Sequence, residues 1–124
     1  MWICLNDAFF SVVTDRNNDK RVVVRARVKG HIEQVFPITK PLVNKSPKIK
    51  VEETPNADYR FRAYLPREYV ADVIHQELMD IDYPNFKDSV EDDHLHDAYS
   101  SFWHTMFHLQ KVKLKNAHNT VQST

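Results

Sequence analysis

Apolar and basic side chains alternate along two segments of this chain, and that alternation restricts its fold more than any other feature. Val22-Val23-Val24-Arg25-Ala26-Arg27-Val28 is β-branched and alternates at its end, while Tyr59-Arg60-Phe61-Arg62-Ala63-Tyr64-Leu65 alternates throughout. Successive side chains of a strand point to opposite faces, so each segment carries an apolar face and a basic one. An apolar run from Phe9 to Val13 precedes the turn-forming Asp15-Arg16-Asn17-Asn18-Asp19, which predicts a hairpin with the first segment. Lys48 to Glu52 also alternates, and Thr54-Pro55-Asn56-Ala57 turns the chain into the second segment, which predicts another hairpin.

Helices are expected between and after the hairpins. His31 to Phe36 fits a short helix stopped by Pro37, and Pro37 to Pro47, with three prolines, reads as a loop. Pro66 suits the first position of a helix whose Val70, Val73, Ile74, Leu78 and Ile81 recur at helical spacing. A short helix is expected near Pro84, carrying Phe86 and Val90. The final helix has the clearest stripe, with Leu95, Tyr99, Phe102, Met106 and Leu109 stepping by four, three, four and three. Trp103 and Phe107 widen that stripe, and the acidic cluster Asp88, Glu91, Asp92 and Asp93 supplies a cap for this helix.

The resulting order is ββαββαα, and the halves echo each other. Val24-Arg25-Ala26 precedes one helix and Phe61-Arg62-Ala63 precedes the next, as in a duplicated ββα unit or two similar solutions to one packing problem. The expected fold class is α+β: a four-stranded, mostly antiparallel sheet with helices on one face. Residues 1–112 are expected to form a single domain, with a polar, frayed tail over 113–124. The chain has 124 residues, which suits one domain.

Composition narrows the chemistry. Gly30 is the single glycine, so the phosphate-cradling P-loop and the dinucleotide fingerprint are both excluded. Cys4 is the single cysteine, which excludes an intrachain disulfide and paired-cysteine metal motifs. No apolar stretch approaches the roughly 18 residues of a membrane span, and no basic leader opens the chain. The expected location is the cytoplasm, away from membranes.

Lysine plus arginine and aspartate plus glutamate each count 17, but the zero net charge hides a division. Arg16 to Arg62 holds 12 basic and 5 acidic residues, while Pro66 to Asp97 holds 2 basic and 10 acidic ones. With the apolar sets facing the helices, parity places Arg21, Arg25, Arg27, Lys48, Lys50, Arg60 and Arg62 on the outer face of the sheet, beside Tyr64. Parity also puts Tyr59 on the inner face with Phe61, Ala63 and Leu65. These basic residues and Tyr64 are the candidate ligand-binding set.

Three function classes follow. The leading expectation is a binding module without catalysis of its own, which meets a protein partner or another copy of itself through oppositely charged faces. A homo-oligomer is one form of this, and a phage or mobile-element accessory protein would suit the size. The second is a binder of nucleic acid or nucleotide, with guanidinium groups on phosphates and rings on bases. The third is an enzyme. Glu77 falls within the apolar stripe of its helix, where a buried carboxylate would need a cationic partner or a raised pKa. His104 and His108 share a helical face, but that face is polar, and the metalloprotease His-Glu-x-x-His motif is absent. Cys4 paired with a histidine would make a nucleophile and base, though nothing in the sequence fixes their distance. No motif calls for a metal or cofactor.

Several stretches resemble a family of small uncharacterised bacterial proteins. They are Trp2 with Phe9-Phe10-Ser11-Val12-Val13, Val24-Arg25-Ala26-Arg27, Asp58-Tyr59-Arg60-Phe61-Arg62, Ile81-Asp82-Tyr83-Pro84-Asn85-Phe86-Lys87, and Trp103 to Gln110. The family pattern has Asp where this chain has Pro84. The resemblance implies a known small fold and no particular activity.

Overall fold

The computed structural model describes residues 1–36 and 49–122. It is α+β, with one antiparallel sheet of five strands and three α-helices. The strands are β1 (Trp2–Cys4), β2 (Phe9–Asp15), β3 (Asn18–Ala26), β4 (Glu52–Glu53) and β5 (Phe61–Pro66), in the spatial order β1-β2-β3-β5-β4. The helices are α1 (His31–Val35), α2 (Arg67–Met79) and α3 (Asp93–Gln122), and a single 3-10 turn spans Lys87–Ser89.

The sheet has one strand more than the sequence predicts. β1 is only three residues long, too short for periodicity to reveal, and it forms by pairing Trp2 with Ser11 and Cys4 with Phe9. The other edge strand is shorter than expected. β4 holds only Glu52 and Glu53, so most of the alternating stretch lies ahead of the strand, yet Ile49 and Val51 pack against the core and Lys50 is exposed, as the alternation predicts. Lys48 and the expected loop from Pro37 to Pro47 lie outside the described residues. Short edge strands leave little unpaired backbone for another chain to extend.

β3 and β5 meet at the centre of the sheet, each flanked by its own hairpin partner and each leading to a helix. The echoing residues Arg25 and Arg62 are register partners across the β3–β5 pair. Two compact units make up the chain, Met1–Pro84 and Asn85–Thr124.

In the first unit, the inner faces of β2, β3 and β5 supply Phe10, Val12, Val22, Val24, Ala26, Phe61, Ala63 and Leu65 to the core. α1 adds Ile32 and Val35, and α2 adds Tyr69, Val70 and Val73. Phe10 and Phe36 make an edge-on ring contact at 5.4 Å. Gly30 precedes α1 with φ of 93°, a conformation that L residues with a side chain rarely adopt, so the single glycine serves the strand-to-helix turn. The expected stripe of α2 fades before its end. Leu78 and Ile81 are exposed, since the buried positions of the helix stop near Val73. Pro66 ends β5 and lies one residue ahead of the helix.

In the second unit, Phe86 and Val90 flank the 3-10 turn, and Phe86 packs on Tyr99 with ring centroids 5.2 Å apart. Asp92 caps α3, its Oδ2 accepting the Leu95 amide at 2.8 Å. α3 spans 30 residues and continues through Lys113 to Gln122, where the sequence suggests a frayed tail. Among the described residues no helix is long and apolar enough to cross a membrane.

A candidate binding face on the open side of the sheet

The strand faces opposite the core carry a row set by register. Trp2, Ser11, Arg25, Arg62 and Glu52 are successive partners across all five strands. A second row, Val13, Val23 and Tyr64, lies beside it. Parity therefore places Arg25, Arg62 and Tyr64 on the outer face as expected. It does not foretell that Trp2 joins them, because only the pairing of β1 brings that ring to the sheet. Trp2 is 65% exposed and meets Phe9 edge-on, and Tyr64 is 38% exposed.

Tyr59 departs from the expectation. β5 begins at Phe61, so Tyr59 precedes the strand and is not bound by its alternation. Its ring lies under two guanidinium groups, with Arg27 at 4.1 Å and Arg25 at 4.5 Å from the centroid. This buried ring orders the arginines above it through cation–π attraction and contact area.

Three of the candidate arginines already face a carboxylate. Arg27 donates to the Asp58 carboxylate at 3.0 Å and to the Asp58 carbonyl at 2.9 Å, and the side-chain hydrogen bond raises the guanidinium pKa further. Arg60 donates to Glu53 Oε1 at 2.7 Å. Arg21 faces Asp15 at 3.9 Å and Tyr64 at 5.6 Å from its ring centroid. Lys50 is exposed but lies ahead of β4, outside any strand.

Arg25 and Arg62 differ from these. Arg25 donates to Ser11 Oγ at 3.0 Å, and Arg62 reaches the Tyr59 carbonyl at 3.5 Å. Neither has a carboxylate in ion-pairing range among the described residues. The Nε atoms of both are buried without a hydrogen-bond acceptor there. Arg25 and Arg62 are thus register partners on the outer face, and their charges are not offset by a carboxylate among the described residues.

The catalytic candidates do not assemble. Glu77 is half-buried, not enclosed in the core, because the buried face of α2 ends before it, and it takes part in an interaction of its own. Burial pushes the Cys4 thiol up, opposite to what an activated nucleophile needs. Among the described residues no three His, Cys, Asp or Glu side chains are grouped to hold a metal ion.

Compared with known proteins, the chain matches no family model, and no curated protein or solved structure is significantly similar to it. The chemistry of the face therefore rests on its own residues.

Proposed function

We propose that this protein is a non-catalytic binding module that docks an acidic protein surface on the outer face of its sheet. The observation that carries this reading is the Arg25–Arg62 pair, in register and without ion pairs among the described residues, on the same sheet face as the exposed rings of Trp2 and Tyr64. Trp, Tyr and Arg are the residues in which binding energy concentrates at protein interfaces. A partner carboxylate set between the two guanidinium groups would accept charge-assisted hydrogen bonds and relieve the repulsion between them. The exposed acids of α2, Glu68 and Asp72, offer a surface of the required sign on another copy of the chain.

Magnitude favours a protein over a nucleic acid. With Arg21, Arg27 and Arg60 facing carboxylates, the candidate cations left without an ion pair among the described residues are Arg25, Arg62 and Lys50, enough for about three phosphates, against roughly 6–10 for a protein that grips nucleic acid strongly. Trp2 and Tyr64 do favour a second reading, in which bases of a single strand stack on the exposed rings.

Titration of the ¹⁵N-labelled protein with a poly-glutamate peptide and with an oligo-dT separates the two. The acidic peptide is expected to shift amides of β3 and β5, more weakly as salt rises, and to lose this effect in Arg25→Ala/Arg62→Ala. Shifts centred on the Trp2 indole with the oligonucleotide alone would transfer the face to nucleic acid. Silence towards both ligands would overturn a binding role for it.

A further inference from the structure

We propose that α3 joins two copies of this chain, packed antiparallel about a dyad near His104. The helix is exposed from Ser101 to Ala117, yet one side of it is apolar. Leu95, Phe102, Met106, Leu109 and Lys113 fall within an arc of about 60° at roughly 100° per residue, with steps of seven, four, three and four. Phe102 is 43% exposed and Met106 is 46% exposed, an open seam in the middle of a long helix. One flank of this seam is already occupied within the unit, since Phe86 covers Tyr99 and the Lys87 ammonium lies 4.4 Å from the Trp103 ring centroid. Within this unit the seam itself is left open.

Charge selects the occupant and its direction. Glu91, Asp92, Asp93 and Asp97 crowd the start of α3, and Lys111, Lys113 and Lys115 lie towards its other end. A parallel pair would set acid beside acid and lysine beside lysine. An antiparallel pair sets each acidic end against the partner's basic end and also opposes the helix dipoles. The apolar and charged positions share one centre. About residue 104, Phe102 faces the Met106 position of the second copy and Leu95 meets the stem of Lys113, while Leu109 comes level with Tyr99, beside the small Ala98. The Lys113 ammonium then reaches past Leu95 towards Asp92. Such an isologous contact closes at two copies, as a two-fold interface must.

Sedimentation of the full chain tests this. The expected mass is twice 14.7 kDa, still present in 1 M salt because the seam is apolar. Met106→Glu is expected to leave the helical circular dichroism intact and give a monomer. Arg25→Ala/Arg62→Ala is expected to remain dimeric, which separates this contact from the sheet face. In a Cys4→Ser background, mixing Leu95→Cys with Lys113→Cys is expected to yield the mixed disulfide. The two Leu95 positions of an antiparallel pair stand about 27 Å apart along the axis and do not link to each other. A monomer at every concentration, a dimer insensitive to Met106→Glu, or efficient linking of Leu95→Cys to itself would each overturn the proposal.

Discussion

Arg25 and Arg62 stand directly opposite each other on adjacent antiparallel strands, two like charges side by side at the centre of the open sheet face. Opposed like charges destabilise a strand pair, and each Nε here is also buried without an acceptor among the described residues. The pair is thus a feature that the fold tolerates, which is common where a surface is kept for binding.

Replacing one member should show this. Arg62→Met keeps the apolar stem and removes the charge, so stability is expected to hold or to rise by up to about 1 kcal/mol. Urea unfolding measures it. A loss of more than about 1 kcal/mol would show that Arg62 supports the fold and would weaken its assignment to a partner.

Gly30→Ala should destabilise the first unit by about 1 kcal/mol. Space is not the reason, because an added Cβ would meet nothing within 4 Å. The cost lies in the backbone, held at φ of 93° where alanine is strained. Gly30→Asn is expected to cost less than Gly30→Ala in the same thermal melt, since asparagine tolerates the left-handed region better.

Tyr69 should make the fold sensitive to alkali. Its hydroxyl is buried without a partner among the described residues, and burial raises its pKa above the ordinary 10.0. The unfolded chain then loses this proton at a lower pH than the folded one. Its contribution is complete below pH 10 and disappears as pH rises through the folded pKa. Tyr69→Phe is expected to be neutral or slightly stabilising at pH 7 and to flatten the alkaline limb of a stability–pH curve. An unchanged alkaline limb would show that Tyr69 does not govern it.

Asp92→Ala should fray the start of α3. The carboxylate accepts the Leu95 amide at 2.8 Å, and loss of such a cap costs about 1 kcal/mol. Hydrogen exchange at Leu95 is expected to quicken, while the amides near Met106 stay as they were. Asp92→Asn retains most of the protection, because the amide oxygen also caps.

The sequence alone determined the parity of the sheet. Alternation with a period of two is a local property, so Val22, Val24, Ala26, Phe61, Ala63 and Leu65 were legible as core and Arg25, Arg62 and Tyr64 as outward-facing. The helical spacing of α3 and an aspartate cap at its start were legible for the same reason. Only the tertiary structure decided which positive charges are free. Asp58 reaches Arg27 from 31 residues away, Asp15 faces Arg21 across a bulged hairpin, and Glu53 meets Arg60 through the turn before β5. Register across strands, which no local pattern encodes, also carried Trp2 to the open face and set Arg25 against Arg62. Side-chain direction belongs to the single strand, whereas charge compensation belongs to its neighbours, and the binding face depends on both.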